Sequence, residues 1–113
     1  KLNKEFGKFN TITKRYNFYD FAILDINFII EFNGNIYHAN PKIYSASDVP
    51  RFRGNKLTAE EIWKTDEKKY ENAANLGYEI LVIWEQDYLN DKHKIIADII
   101  HIIKDRYDKR VPD

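Results

Sequence analysis

The chain has 113 residues, 18 basic and 18 acidic side chains and therefore no net charge, and it contains neither Cys nor Met. The length predicts a single domain, the balanced charge excludes an overall basic surface, and the lack of Cys excludes disulfides, thiolate catalysis and Cys-based zinc sites. No apolar run approaches the roughly 18 residues of a membrane span, so we expect no membrane partner. The start at Lys1 predicts a piece of a longer protein.

Charge is distributed unevenly along this neutral chain. Residues 1–17 carry five basic side chains against the single acid Glu5, and residues 39–57 carry four against Asp48. Two explanations stay open for these segments: they contact an anionic partner, or they are solvated loops that happen to be basic. Residues 1–17 otherwise have weak patterning, which predicts a helical turn or two ending near Gly7.

The stretch from Tyr19 to His38 predicts a β-hairpin over residues 18–33, followed by a short strand near residues 36–38. Its apolar residues alternate with period two. If the turn closes through Asp25 and Ile26, residues whose numbers sum to 51 face each other. The predicted register therefore places Asp20 directly across from Glu31.

Two opposed carboxylates in an apolar hairpin are unfavourable unless their charge is compensated. A cation, a proton or an error in the register would each explain them. A divalent metal ion with oxygen ligands is the most economical explanation. Asp20, Glu31 and the backbone carbonyl of Phe32 are its predicted ligands.

The next segment, residues 39–55, is rich in Pro, Ser, Gly and Asn and predicts a long loop that acts as a lid or contacts DNA. A helix over residues 58–76 follows it. Thr58 and Glu61 form its predicted capping box, and Gly77 its stop.

The remaining elements complete an α/β pattern. A continuous apolar run predicts a buried strand over residues 79–84. A stripe of isoleucines predicts a last helix over residues 91–107 with this stripe in the core. Helix, short turn and buried strand in this order indicate an α/β fold.

His38 follows the hairpin, and an imidazole that works as an acid or base needs a partner to fix its tautomer. Asp66 falls on the apolar stripe of the helix over 58–76, where an unpaired acid is costly, so it is the predicted partner. Together with a metal, this pair indicates hydrolysis by an activated water. Structural explanations stay open for each residue: a histidine that only packs, a half-exposed acid, and an ordinary turn at Asn33-Gly34.

The joint spacing of these residues resembles that of a nuclease family. The pattern contains, in order, Asp20, Glu31-Phe32-Asn33-Gly34, Tyr37-His38, Trp63, Asp66, Gly77-Tyr78 and Ile83-Trp84-Glu85. It is similar to the very-short-patch-repair (Vsr) type of endonuclease, and most of all to the phage-borne homing endonucleases described by the motif EDxHD.

The resemblance implies a restriction-endonuclease-like core of the PD-(D/E)xK superfamily, with a central mixed sheet between helices and a divalent metal at the hairpin. It implies that Asp20 binds the metal, that His38 lies beside the attacking water and that Asp66 is the acidic partner of His38. Glu5 is the candidate for the first acid of the motif.

Two positions depart from related nucleases. Asn33 stands where the repair enzymes carry a histidine and many restriction nucleases a lysine, and Asn can position a phosphate or water but cannot act as a base. Glu31 coincides with the acid of the D…ExK pattern, which the repair enzymes lack. The zinc-binding cysteines of the repair enzymes are absent from this sequence.

The predicted function is that of a Mg²⁺-dependent endonuclease domain, with Mn²⁺ as the alternative metal, acting on double-stranded DNA in the bacterial cytoplasm as a phage-encoded protein. We expect further DNA-binding regions outside this chain. Two alternatives stay open: a mismatch-nicking repair or restriction enzyme, and a nuclease-fold module that only binds DNA or protein. The predicted DNA contacts are Lys14, Arg15, Tyr37, Lys42, Arg51, Arg53 and Lys56.

Overall fold

Four strands form one mixed sheet in the order β1-β2-β3-β4. The computed structural model describes residues 2–110, with side chains from residue 4 onward. The strands are β1 (Leu2–Asn10), β2 (Arg15–Ile23), β3 (Phe28–Asn33) and β4 (Glu79–Trp84). The first three pair antiparallel, whereas β4 runs parallel to β3. The predicted α/β class with a mixed sheet is confirmed, and the parallel pair explains why a helix must separate β3 from β4.

The predicted register of the β2–β3 hairpin is confirmed. Phe21 pairs with Ile30, and the next two pairs follow the same sum of residue numbers. A short 3-10 turn, Leu24–Ile26, closes the hairpin, and Asn27 adopts a left-handed conformation with φ 49°. Asn tolerates this conformation better than most residues, which explains its position at the turn.

Three expectations for the strands are wrong. Residues 2–10 form an edge strand rather than helical turns, because pairing with β2 overrides the weak local pattern. The hairpin strand begins at Arg15 instead of residue 18. Residues 35–39 form a turn rather than a short strand, since side-chain hydrogen bonds satisfy its backbone.

Helix α1 (Ala59–Asn75) covers one face of the sheet. The predicted capping box is present, with Thr58 and Glu61 each accepting from the backbone of the other. Gly77 has φ +92° and ends the helix, as predicted. The main buried cluster lies between this helix and the sheet, and consists of Tyr19, Ala22, Ile29 and Ala73, with Phe6, Tyr78 and Ile80 packed against it.

Helix α3 (Lys92–Asp108) lies over the opposite face, after a short helix α2 (Glu85–Asn90) that the sequence did not predict. Its isoleucine stripe is only partly buried, because Ile96 and Ile100 are 41% and 59% exposed. The predicted core stripe is therefore wrong in part. Arg106 ties the end of α3 to the sheet through two 2.6 Å bonds to the Glu79 carboxylate. Within residues 2–110, no helix is both long enough and apolar enough to cross a bilayer.

Candidate active site

One face of α1 carries three polar side chains toward the sheet and the turn after β3. Asp66, Lys69 and Tyr70 are spaced three and four residues apart, so they share one side of the helix. Each contacts a residue singled out in the sequence, and these contacts are Asp66 with His38, Lys69 with Glu31 and Tyr70 with Asn33. Helix α1 therefore contacts two residues near the end of β3 and His38 in the turn that follows this strand.

Asp20 and Glu31 lie opposite each other at the point where regular pairing between β2 and β3 stops. The Asp20 backbone N–H donates to Glu31 Oε1 at 2.7 Å. The Phe32 backbone N–H donates to Asp20 Oδ2, also at 2.7 Å. Each carboxylate thus replaces a backbone acceptor of the partner strand, which fixes both side chains without a direct contact between their charges.

Lys69 supplies the positive charge that this pair of acids requires. Its Nζ atom lies 2.7 Å from Glu31 Oε2, and the two side chains are 20% and 2% exposed. Burial raises the pKa of the Glu31 carboxyl, and the bonds to Lys69 act in the opposite direction. Sequence reasoning missed Lys69, because lysines are usually solvated; its spacing of three residues from Asp66 was the available signal.

Asn33 is held by Tyr70 of α1. Its Nδ2 donates to Tyr70 Oη at 2.8 Å, and its buried Oδ1 has no hydrogen-bond partner within the described part of the chain. Burial, together with the charges of Asp66, Glu31 and Asp20, raises the pKa of Tyr70 to about 12, although the hydrogen bond from Asn33 acts in the opposite direction.

His38 and Asp66 form the predicted contact. The Nδ1 atom of His38 lies 2.8 Å from Asp66 Oδ2, and both side chains are largely shielded from solvent. An ionised carboxylate only accepts hydrogen bonds, so the tautomer of the imidazole that fits this contact has its proton on Nδ1 and its lone pair on Nε2. The pair has the arrangement of a general base with an orienting acid.

The turn that carries His38 is fixed by hydrogen bonds from distant elements. Asn35 Oδ1 accepts from Asn40 Nδ2 and from the Gln86 backbone, while Glu85 Oε1 accepts from the Asn35 backbone. Trp63 Nε1 donates to the Ala39 carbonyl at 2.6 Å. Trp63 and Glu85 therefore both hold the turn that carries His38.

His38 and Asp66 line a groove of about 520 Å³. Arg53, Lys56 and Tyr37, three of the predicted DNA contacts, line the same groove. The basic side chains come from the loop between β3 and α1.

The other predicted contacts lie elsewhere. Lys42 pairs with Asp87 at 3.3 Å on the surface, and Arg51 is exposed on the loop. Lys14 and Arg15 belong to the β1–β2 hairpin and are not among the residues that line the groove.

Glu5 of β1 lies opposite Asp20 of β2, because the residues on either side of the two acids are paired. Its backbone is left-handed, with φ 50°, a strained conformation for a residue other than Gly. Glu5 and Asp20 line a common cavity of about 390 Å³ together with Phe18 and Tyr19. The candidate first acid and the predicted metal-binding aspartate therefore face the same space.

Glu5 and Asp20 carry carboxylates, the type of ligand that Mg²⁺ takes in proteins. Among residues 2–110, no three His, Asp or Glu side chains converge on one point. Mg²⁺ nevertheless retains several waters and is often bound by one or two carboxylates. Glu31 fits less well as a ligand, because Asp20 and Lys69 already occupy both of its oxygens.

No protein-family model, curated protein or solved structure matches this chain.

Proposed function

We propose that this chain is a metal-dependent DNA endonuclease domain of the EDxHD type, with a restriction-endonuclease-like core. The observation that carries the proposal is the His38–Asp66 pair, which lines a groove beside Arg53 and Lys56. An oriented imidazole next to fixed positive charge suits the hydrolysis of a phosphodiester.

In the proposed reaction, Arg53 and Lys56 bind the DNA backbone and set its position. His38 Nε2 accepts a proton from the water that attacks the phosphorus atom, and Asp66 stabilises the imidazolium that forms. The bond from phosphorus to the leaving oxygen breaks, that oxygen takes up a proton from solvent water, and His38 later releases its proton to solvent. Asn33 and Tyr70 contribute by holding the end of β3 against α1.

Asp20 and Glu5 are the residues that would hold a Mg²⁺ or Mn²⁺ ion. A bound ion would offset the negative charge that develops on the phosphate oxygens. Lys69 neutralises Glu31 and keeps this acid as the acceptor for the Asp20 backbone. Lys69 therefore acts on the site through Glu31 rather than on the phosphate.

A non-catalytic module is the second candidate, and the Lys69–Glu31 ion pair favours it. A lysine on one of the predicted metal ligands satisfies that carboxylate without any metal. Such a module would bind DNA through the groove and cleave nothing. A mismatch-nicking repair or restriction enzyme would use the same residues on a different DNA target.

Nicking of supercoiled plasmid with Mg²⁺ and with EDTA tests the proposal. We expect metal-dependent nicking by the wild type and its loss in Asp20→Asn and His38→Ala. His93→Ala is the matched control, because His93 is exposed on α3, and it should nick as the wild type does. Equal nicking by Asp20→Asn and wild type would disprove the assigned site, and DNA binding without nicking would favour the non-catalytic module.

Magnesium binding by calorimetry gives a readout that does not depend on activity. Asp20→Asn should abolish binding and Glu5→Gln should weaken it. Glu67→Gln, an exposed acid on α1, should leave it unchanged. Undiminished binding by Asp20→Asn would place the metal elsewhere.

A further inference from the structure

The β1–β2 hairpin exposes a strip of aromatic rings. Tyr16 and Phe18 are 63% and 61% exposed, and Phe9 is 43% exposed. The rings of Tyr16 and Phe18 lie nearly parallel, with centroids 6.3 Å apart, and Phe9 meets Tyr16 edge to face. Exposed aromatic rows of this size in a small domain usually mark a binding surface.

Gly7 shapes this strip. A Cβ atom at Gly7 would lie 2.8 Å from the Phe18 ring, so the ring rests directly on the glycine of the neighbouring strand. The Phe18 ring therefore covers the glycine, and the side chain still remains 61% exposed. A flat, open ring can stack on another planar group.

The surroundings of the strip are basic. The turn end of the hairpin carries Lys14 and Arg15, and the sequence contains no acid between Glu5 and Asp20, whereas the whole chain is neutral. Lys14 and Arg15 directly precede Tyr16 and are exposed. This charge complements the phosphates of a nucleic acid, and rings interleaved with cations are the common platform for unpaired bases.

The strip is continuous with the candidate active site. Phe18 lines the same cavity as Glu5 and Asp20. A strand whose phosphate lies at Asp20 would therefore extend along Phe18 and Tyr16. Bases inside a duplex have no free faces, so only unpaired bases would meet these rings.

We propose that the strip of Phe9, Tyr16 and Phe18 binds unpaired DNA bases beside the cleavage point, so that the substrate contains a single-stranded segment or a distorted duplex. The choice of DNA as partner rests on the proposed function. The rings supply stacking, which tolerates any base, and Lys14 and Arg15 supply the contact with phosphates.

Fluorescence anisotropy with labelled oligothymidine, in EDTA so that no cleavage occurs, tests this proposal. Tyr16→Ala and Phe18→Ala should each weaken binding about tenfold or more, the usual loss for one stacked base. Tyr16→Phe should bind as the wild type does. Leu89→Ala, which removes an apolar side chain that is 71% exposed on α2, is the control and should have no effect.

An abasic strand of equal length separates stacking from charge. The two alanine variants should bind it as the wild type does, since its phosphates are unchanged. Equal losses on both strands, or no loss on either, would overturn the proposal, and tighter binding of the matching RNA would overturn the assignment of DNA. A wild-type dimer that Tyr16→Ala converts to a monomer would instead assign the strip to a second copy of the chain.

The outcomes also separate this proposal from the nuclease proposal. Base-dependent binding by a protein that never nicks plasmid would support the strip and contradict the endonuclease. Metal-dependent nicking, without any effect of Tyr16→Ala or Phe18→Ala on strand binding, would support the endonuclease and contradict the strip.

Discussion

Lys69 reaches from α1 to the sheet and places its Nζ atom 2.7 Å from Oε2 of the fully buried Glu31. The same carboxylate accepts the backbone N–H of Asp20 through its other oxygen. One ion pair thus connects the helix, the central strand β3 and the predicted metal-binding aspartate. Any change to it should be visible in both folding and activity.

Removal of the lysine should destabilise the protein strongly. Lys69→Met leaves a buried carboxylate without its cation, and breaking such a pair from one side typically lowers the free energy of unfolding by about 3 kcal/mol. Urea denaturation measures the change. Lys64→Met, which disrupts the exposed pair with Glu60, is the control and should change it by less than about 0.5 kcal/mol. Equal effects of the two changes would contradict the role of the buried pair.

Alkaline pH should weaken the fold through Tyr70. The pKa of this hydroxyl is raised to about 12 from 10.0, so the unfolded chain loses the proton near pH 10 while the folded chain retains it. The stabilising effect is therefore complete below pH 10 and is lost as the pH rises toward 12. Tyr70→Phe should show a smaller loss of unfolding free energy between pH 8 and 11, and Tyr37→Phe, at an exposed ring, the same loss as the wild type.

Asp66→Asn should impair chemistry more than binding. Asn keeps the size of the side chain but loses the charge that supports a protonated His38, so we expect the nicking rate to fall about a hundredfold or more. The affinity for DNA in EDTA should stay within about twofold. Asp98→Asn, which alters only an exposed pair with Lys94, is the matched control. Normal nicking by Asp66→Asn would exclude the proposed base.

The groove cations should act on all DNA sequences alike. Arg53→Ala and Lys56→Ala should each weaken binding and reduce the slope of log affinity against log salt by about one, the value for one lost phosphate contact. Lys92→Ala, at an exposed position on α3, should change neither quantity. An unchanged slope for both groove variants would remove the groove from the DNA-binding surface.

Local signals in the sequence were sufficient for several elements. The alternation of apolar residues predicted the two strands, and a turn through Asp25 and Ile26 predicted their register; a slip of one residue would have turned every side chain to the wrong face. The capping box at Thr58 positioned α1, and the cost of an unpaired Asp66 on its inner face led to the contact with His38. Each of these depends on the residue itself or on its near neighbours.

The features that were missed depend on distant partners. Strand β1 contains few apolar residues and forms because β2 offers it an open edge. Lys69 contacts Glu31 only because α1 crosses the sheet at that point. Its burial could not be predicted from the sequence, because most lysines are exposed to solvent. The exposure of Ile100 was also hidden, since periodicity shows that a stripe exists but not whether anything covers it.

Ala39, the residue after His38, constrains how the turn that carries the histidine can form. Ala39 is fully buried against Ala59 and Ile62, yet its backbone is left-handed with φ 49°. An L-residue in this region is strained by roughly 1–2 kcal/mol, so the surrounding packing and the bond from Trp63 must hold it there. A larger side chain would find no space, and Gly would relax the backbone but lose the packing. A peptide of residues 34–40 alone should therefore not preserve this turn: the histidine acquires its position only when the whole domain has folded.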